Sequence, residues 1–270
     1  MPGADAPAPP APLGAVPRFA APRAIGALML REMSATYGRS AGGYLWAVLQ
    51  PVGVLAVLTV GFSLLVRSPP LGTTFVLFYA TGFLPFQMFG NMQGAAQGAL
   101  RYSRALLTYP RVSWIDAVIA RAALGAITAA TVFVIIIAGI FVIFEPRSTV
   151  DVGPVLTGFG ICLLTGLGVG MTNCWLIARF PIWQQLWAIV SRPLFLASGL
   201  FYIYEDLSRG AQAVLWWNPL FHATSIVRSG FYPTYEAAWA SPAYALGCGM
   251  AALAVGLALL RAGHAEVLQA

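Results

Sequence analysis

The feature that most constrains this chain is a series of six apolar stretches, each close to the length that crosses a bilayer. An α-helix needs about 20 apolar residues to span the hydrocarbon core. The stretches lie at about 44–66, 74–97, 114–144, 153–178, 184–203 and 241–261. Charged residues make up 9% of the chain, whereas a soluble domain carries about 25%. The sequence therefore predicts an all-α integral membrane protein with six transmembrane helices.

Two segments of different character precede these stretches. Residues 1–22 are rich in proline and alanine and cannot form a core, so the sequence predicts a disordered tail. Residues 23–270 are predicted to form a single membrane domain, which begins with a helical pattern at 24–38. The apolar face of that pattern predicts an amphipathic helix lying in the membrane interface. Glu32 falls inside this face, which predicts that its carboxylate meets a protein partner or an arginine.

The positive charge of the chain comes from arginine alone, because the sequence contains no lysine. Arginines are concentrated in the N-terminal segment, in the loop 98–113, and at Arg179 and Arg261. Cytoplasmic segments of membrane proteins carry such an excess. With an even number of spans, both termini are therefore predicted to be cytoplasmic. The net charge of +6 indicates topology and not nucleic-acid binding.

Motifs for nucleotide hydrolysis and for metal binding are missing from the sequence. A P-loop needs a lysine to reach the β- and γ-phosphates, so this chain holds no standard Walker A motif. Cys162, Cys174 and Cys248 lie in apolar stretches without CxxC spacing, which predicts buried thiols and no metal site. No cofactor is predicted for this chain. If ATP drives the protein, another polypeptide must bind ATP and magnesium.

Two of the stretches carry a face of rings, amides and small residues at helical spacing. In the second stretch this face consists of Tyr79, Phe83, Phe86, Gly90, Gln93 and Gln97. In the fifth it consists of Gln184, Ser191, Phe195, Ser198 and Tyr202. Amides and small residues also join neighbouring helices in membranes. Two interpretations therefore remain open: helix contacts, or a path for a cargo such as sugar, which both stacks on rings and forms hydrogen bonds.

Three charged residues fall inside the predicted spans, where an ionised group is costly and is a functional candidate by default. Asp116 lies at the start of a helix, where a carboxylate is favourable as a cap. Arg121 has no assigned role. Arg192 either pairs with Glu32 or with carbonyl groups of another chain, or it binds an anionic substrate. In the fourth stretch, close helix contacts are predicted at Gly158, Gly160, Gly166, Gly168 and Gly170.

The segment LWWNPLFHATSIVRSGFY, residues 215–232, is unusual between two apolar stretches. It is too polar to cross a bilayer unaided and too aromatic for an ordinary loop. Pro219 predicts a bend near Asn218, and tryptophan and tyrosine favour the membrane–water interface. Non-helical backbone at membrane depth is tolerated where protein or a water-filled cavity surrounds it.

Taken in chain order, these features resemble one family, the membrane (permease) subunits of type-2 ABC exporters of capsular polysaccharide (KpsM-like). The resemblance covers nearly everything after about residue 24. It is carried by short motifs, which are Arg31-Glu32, Tyr37-Gly38-Arg39-Ser40, Gly43-Tyr44-Leu45-Trp46, Gln50-Pro51, Phe83-Leu84-Pro85-Phe86, Ser198-Gly199-Leu200-Phe201-Tyr202, and Asn218-Pro219-Leu220 with His222 and Arg228.

The resemblance implies a six-span permease of the bacterial inner membrane that works as a homodimer with two copies of a separate cytoplasmic ATPase. It implies a lipid-linked polysaccharide as cargo, with periplasmic and outer-membrane export components and membrane lipids as further partners. The interface helix and the loop 98–113 would then be the docking surface for the ATPase. The docking residues would be Arg31, Glu32, Arg39, Arg101, Arg104, Leu106 and Leu107.

The resemblance also implies that the chain re-enters the outer leaflet as a helical hairpin before the last span. That hairpin is predicted to be an external gate, formed by Trp216, Trp217, Asn218, Phe221, His222 and Arg228, with Arg228 near the outer surface. The two ring-and-amide faces, together with Arg192, would line the substrate path.

Other functions remain open from the sequence. Within the same fold the cargo could be O-antigen, teichoic acid or a small hydrophobic molecule. A polytopic glycan acyltransferase or ligase would need a catalytic histidine or carboxylates, and only His222 and Glu205-Asp206 come near that requirement. A secondary transporter is disfavoured because its coupling-ion carboxylates are missing from the spans.

Overall fold

A computed structural model describes residues 20–37, 42–105, 107, 113–146 and 148–269 of the chain. Every regular element in these ranges is helical, which confirms the all-α prediction for this part of the chain. The helices are α1 (Ala20–Tyr37), α2 (Gly43–Ser63), α3 (Phe75–Ser103), α4 (Trp114–Phe144), α5 (Val152–Arg179), α6 (Trp183–Ala197), α7 (Arg209–Leu215), α8 (Pro219–Ser229) and α9 (Pro242–Gln269), with a 3₁₀ turn at Tyr204–Asp206.

The boundaries of the predicted elements differ from those in the structure at several points. Residues 1–19 of the predicted tail lie outside the described residues, and α1 begins at Ala20, within the last three residues of that tail. α3 continues to Ser103, so the first third of the predicted loop 98–113 forms the last turns of a helix. α9 continues well past the predicted end at residue 261.

Four of the helices are long and apolar enough to cross a membrane, and these are α2, α4, α5 and α9. The helices α3, with 29 residues, and α6, with 15 residues, occupy the second and fifth predicted stretches but fall outside this set. At 1.5 Å per residue, α6 rises about 22 Å, which is less than the ~30 Å hydrocarbon core. The structure thus supports an integral membrane protein with these four spans.

Five helices, which are α4, α5, α7, α8 and α9, begin beside residues whose side chains accept from free backbone N–H groups. Ser113 and Asp116 form a capping box, in which the Ser113 N–H donates to Asp116 Oδ2 at 3.0 Å. Asp116, a functional candidate from the sequence, is therefore accounted for as a cap. Asp151 caps α5 by accepting from the Gly153 N–H. Asn218 caps α8 by accepting from the Leu220 N–H, and Pro219 occupies the first helical position, where its missing N–H costs nothing.

The centre of the fold is α5, which packs against α3, α8 and α9 through glycines. A Cβ on Gly166 or Gly170 would lie 2.6 or 2.4 Å from a backbone oxygen of α3, and one on Gly158 would lie 2.7 Å from a backbone oxygen of α8. A Cβ on Gly168 would lie 2.2 Å from the α9 backbone. The predicted close contacts are confirmed at these four positions. At Gly160 the prediction is wrong, because nothing lies within 4 Å of a Cβ added there.

Candidate functional site

The segment 215–232 contains the longest run of consecutive buried residues in the described part of the chain. All the residues from Leu220 to Arg228 in α8 are buried, in contact with α3, α5 and α9. This short helix contains polar and charged side chains, so it is held in the interior by specific hydrogen bonds as well as by apolar packing. Its partners are the chain segment that follows α6 and the first turn of α9.

Arg228 is fully buried, which corrects the prediction that it lies near the outer surface to meet lipid phosphate or cargo. Its guanidinium donates to the carbonyl oxygens of Tyr202 at 2.9 Å and of Leu200 at 3.0 Å. Its charge lies 4.1 Å from the centre of the Phe78 ring. Arg228 therefore ties α8 to the turn after α6, where Gly199 adopts a φ of 75° that favours glycine.

Asn218 reinforces the same joint from the other end of α8. While its oxygen caps α8, its amide nitrogen donates to the Ala197 carbonyl at 2.8 Å, at the last residue of α6. The C-terminal end of α6 is thus attached to both ends of α8. This arrangement explains how a short helix with no buried residues of its own is fixed in position.

His222 connects α8 to both neighbouring elements. Its Nε2 lies 2.7 Å from the Trp216 carbonyl oxygen, and its Nδ1 accepts from the Ser241 N–H at 3.1 Å. A neutral imidazole with its proton on Nε2 satisfies both contacts, whereas an imidazolium could not accept from Ser241.

Because protonation of His222 would remove the acceptor of the Ser241 N–H, stability should fall as the pH drops. The unfolded chain binds a proton on this histidine as the pH falls below about 6.5, whereas the folded chain does not. In that pH range the free energy of unfolding decreases by up to about 1.4 kcal/mol per pH unit. We expect the melting temperature in detergent to fall between about pH 7.5 and 5.5, and His222→Gln to flatten that slope. The same substitution at His264, the other histidine, should leave the slope unchanged. Equal slopes in all three proteins would contradict the assignment.

The remaining predicted gate residues form a continuous aromatic group. The Trp216 ring stacks on Tyr244 of α9 with centroids 4.9 Å apart and meets the edge of Trp217 at 5.4 Å. Phe221 is buried against the Trp239 ring. Trp217 is 67% exposed, which makes it the gate residue with the largest accessible surface.

The structure brings the two ring-and-amide faces together at one contact. Phe86 of α3 and Phe195 of α6 meet edge to face with centroids 5.2 Å apart. The Phe195 ring continues to Phe201 at 5.8 Å. Phe83, Phe86, Gln93 and Gln97 of α3 are half-buried, and the two glutamines form a hydrogen bond with each other.

Two members of these faces lie in the interior, so their assignment to a substrate path is corrected. Tyr79 is buried within a ring cluster that includes Phe62 and Phe75. Ser198 is also buried, and its hydroxyl donates to the Phe195 carbonyl at 2.7 Å. Both side chains serve packing within one chain.

The other members of the α6 face are accessible. Gln184 and Arg192 are exposed, and Ser191 and Tyr202 are half-buried. The Tyr202 hydroxyl donates to the Leu196 carbonyl at 2.8 Å. Arg192 does not pair with Glu32, which is one of the alternatives that the sequence left open.

Glu32 instead pairs with Arg121 at 3.1 Å, which confirms the prediction of an arginine beside it. Arg121 also donates to the Gly98 carbonyl at 3.3 Å, and its guanidinium lies 4.4 Å from the centre of the Tyr102 ring. This side chain therefore joins α1, the end of α3 and the start of α4.

Other predicted docking residues lie at the same end of the fold. Arg31, Arg101 and Arg104 are exposed, and Leu107 is half-buried. Arg39 and Leu106 lie outside the described residues. Glu32, the remaining predicted docking residue, is engaged with Arg121 within the chain.

A cavity of about 450 Å³, which was not predicted from the sequence, lies between α1, α2, α3 and α4. Its polar lining residues are Gln50, Gln87, Asn91 and Thr128, and the Glu32–Arg121 pair lies in its wall. The signal was present in the sequence, because an amide in an apolar stretch requires a partner. Gln87 and Asn91 are four residues apart, and Thr128 is seven residues from Arg121, so each pair shares a helix face. Only the packing of the helices shows that the two pairs line the same cavity.

Within the described part of the chain, no three His, Cys, Asp or Glu side chains come together as metal ligands. The buried polar residues instead hold helices to one another, and exposed polar residues lie along α6 and at the end where α1, α3 and α4 meet.

Comparison with known proteins gives matches that extend over most of the chain. Residues 23–232 match the family model described as ABC-2 type transporter. The chain is 26% identical over 235 residues to the polysialic acid transport protein KpsM of Escherichia coli, covering 87% of this chain and 91% of that protein. It is 25% identical to the capsule polysaccharide export inner-membrane protein CtrC of Neisseria meningitidis, covering 88% and 90%. It is 26% identical to the capsule polysaccharide export inner-membrane protein BexB of Haemophilus influenzae, with the same coverage of 88% and 90%. The chain therefore belongs to the ABC-2 type transporter family.

Proposed function

We propose that this chain is the permease subunit of an ATP-driven exporter that moves a capsular, lipid-linked polysaccharide across the bacterial inner membrane. The observation that carries the proposal is the similarity to KpsM, CtrC and BexB, which extends over about nine-tenths of each of those proteins. Their names place them in capsule or polysialic acid export. Similarity over nearly full length concerns the whole membrane domain and not one shared segment.

In the proposed arrangement the membrane is crossed six times, by α2, α3, α4, α5 and α9 and by α6 together with the chain segment that follows it. α7 and α8 enter from the outer side as a re-entrant hairpin. The support comes from the length of α6, which is too short to reach across the core alone, and from its attachment to α8 through Asn218 and Arg228. The hairpin then lies at membrane depth, where protein surrounds its backbone. Both termini are cytoplasmic.

The proposed transporter contains two copies of this chain, with the substrate path between them. α6 supports this proposal, because no residue of this helix is buried within one chain. An exposed arginine in lipid would be costly, so Arg192 requires a second chain, a wet path or an anionic cargo. Phe86 and Phe195 supply rings beside this path, and Gln93, Gln97, Gln184 and Ser191 supply hydrogen-bonding groups.

We expect a cysteine introduced at Arg192 to react with a small, membrane-impermeant thiol reagent in protein that lacks the native cysteines. A side chain that faces a water-filled path is accessible to such a reagent, whereas one that faces lipid is not. Val190 is also exposed on α6 but is apolar and lies on the opposite side of the helix from Arg192, so a cysteine there serves as the lipid-facing control. Labelling should be measured by a mass shift, with and without ATP turnover. Protection of position 192 in every state would contradict a wet path.

The second proposed partner is a separate ATPase, present in two copies, which binds ATP and magnesium. The docking surface lies where α1 and the ends of α3 and α4 meet. This surface exposes Arg31, Arg101 and Arg104. Arg121 supports a mechanical link, because it connects the Gly98–Tyr102 end of α3 to Glu32 of α1. Movement of the docked end of α3 would then be transmitted to the membrane helices.

We expect Arg101→Glu to weaken association with the ATPase on the order of tenfold, because it places a like charge opposite an acidic patch that arginines would attract. Co-purification of the ATPase measures this effect. Arg209→Glu, an exposed arginine in α7, is the matched control and should leave the complex intact. If both variants retain the ATPase equally, Arg101 lies outside the docking surface.

The proposed function is tested by removing the gene for this chain from its own bacterium. We expect surface polysaccharide to disappear while polymer accumulates inside the cell, and a plasmid copy of the gene to restore export. Surface and internal polymer can be measured separately by staining before and after lysis. Unchanged surface polymer, together with loss of another envelope glycan, would show that the cargo differs from the one proposed.

A further inference from the structure

A second, apolar space lies next to the cavity described above, between α2 and α4. On α2 the cavity is lined by residues from Gly43 to Gln50, and the groove by residues from Val48 to Val60. On α4 the cavity ends at Val132, and the groove continues from Ile135 to Phe144. α2 and α4 begin at the same end of the fold, so the two spaces follow one another along both helices.

The two spaces differ in the polar groups that line them. The cavity of about 450 Å³ is lined by Gln50, Gln87, Asn91 and Thr128, and none of these side chains forms a hydrogen bond with another described residue. The groove of about 380 Å³ is lined by aliphatic side chains, with Thr59 as its one hydroxyl and Phe144 as its one ring. An amide inside a membrane protein is costly without a partner. A molecule that fills both spaces must therefore have a hydrogen-bonding head and an apolar tail.

The dimensions fit one lipid chain. Val48 to Val60 covers twelve steps along α2, or about 18 Å at 1.5 Å per residue. Half of the ~30 Å hydrocarbon core is about 15 Å, which is the depth that one leaflet's acyl chains occupy. Trp46 lines the cavity and is 68% exposed, as expected for an indole at the level of the lipid headgroups.

We propose that this site holds one glycerophospholipid of the surrounding bilayer per chain. Its phosphate and ester oxygens accept hydrogen bonds from the amide groups of Gln50, Gln87 and Asn91, and one acyl chain occupies the groove. The wall of the cavity formed by Glu32 and Arg121 is an ion pair without net charge, so a zwitterionic head is accommodated as well as an anionic one. The site lies between α2 and α4, whereas the proposed substrate path lies along α6.

The lipid would have a structural consequence for the end that docks the ATPase. Because the Glu32–Arg121 pair lies in the cavity wall, an occupied cavity braces α1 against α4 from the membrane side. The proposal does not depend on the identity of the cargo, so its failure would leave the proposed function untouched.

Native mass spectrometry of the full chain, purified in mild detergent, tests the proposal. We expect one phospholipid per chain to be retained by the unmodified protein. Gln50→Leu combined with Gln87→Leu should remove most of it, because the head loses its donors. Gly139→Leu should remove it independently, since Gly139 lines the groove and has nothing within 4 Å of an added Cβ, so that the new side chain fills the space of the tail. Two variants on different walls keep the test intact if one of them fails to fold.

Matched controls separate lipid binding from a general effect of substitution. Gln185→Leu removes an exposed amide of α6, and Gly160→Leu adds the same side chain to another glycine with free space. Both should retain the lipid. Delipidated protein should regain the adduct when phosphatidylethanolamine or phosphatidylglycerol is added. Equal retention by all variants, or no adduct on the unmodified protein, would overturn the proposal. A retained lipid that carries a glycan would also overturn it, because the site would then belong to the cargo.

Discussion

Arg228→Ala should destabilise the protein severely, so that little monodisperse material survives extraction from the membrane. The substitution leaves the carbonyl groups of Leu200 and Tyr202 buried without donors. Each unsatisfied buried group costs about 1–3 kcal/mol. The contact with the Phe78 ring is lost as well. We expect a total loss on the order of 3–5 kcal/mol, measured as the drop in melting temperature and in the yield of monodisperse protein.

The matched control is Arg209→Ala, which removes an exposed arginine ten residues before Pro219 in the same region. It should leave the melting temperature unchanged. Arg228→Lys should be intermediate, because an ammonium group retains the charge but cannot reach both carbonyls in the planar geometry of a guanidinium. If Arg228→Ala were as stable as the control and lost only export, Arg228 would contact the cargo in another conformation. Its role would then lie in that conformation and not in the buried one.

Periodicity and length accounted for most of the helices in this fold. The start of every predicted span lies within one residue of a helix start in the structure. The reason is local, because the ends of the helices are marked by residues such as Ser113, Asp151 and Asn218, whose caps depend on neighbours two or three positions away. Local chemistry of this kind can be derived from the sequence.

The roles of the polar residues were harder to predict, because they depend on which helices become neighbours. Arg228 was expected at the outer surface, and Glu32 at a docking surface or beside an arginine. A single sequence shows that each needs a partner but does not show which one. The partner of Arg228 is backbone, which leaves no signature in the sequence. The partner of Glu32 is Arg121, 89 positions along the chain.

The candidate path shows the same limit. Helical spacing placed Tyr79 and Ser198 on the faces of Phe86 and Phe195, and the faces do meet. Whether a side chain on such a face is buried depends on which other residues pack over it. Tyr79 is covered by rings of α2 and α3, and Ser198 lies in the turn held by Asn218 and Arg228. A helical pattern defines the direction in which side chains point but not the depth at which they are covered.

Gly168→Val is expected to prevent α5 and α9 from packing and so to reduce the yield of folded protein strongly. A Cβ at Gly168 would lie 2.2 Å from the Ala252 carbonyl carbon and 2.3 Å from the Leu253 nitrogen. These atoms belong to the backbone of a helix, so they cannot move aside as a flexible side chain would. Gly256 faces the same contact from α9, with an added Cβ 2.6 Å from the Gly168 carbonyl oxygen. The two helices must therefore separate.

Separation of α5 and α9 is costly because helix association within a membrane depends on close packing and has little hydrophobic driving force. We expect a destabilisation of about 3 kcal/mol or more, measured by the melting temperature and by the fraction of monodisperse protein. Gly160→Val makes the same change in the same helix with nothing within 4 Å of the new Cβ, and it should fold normally. Since both substitutions add the same β-branched side chain to α5, their helix propensities cancel, and the difference between them isolates the contact with α9. Equal stability of the two variants would mean that α9 does not pack against Gly168, and the central position of α5 would have to be abandoned.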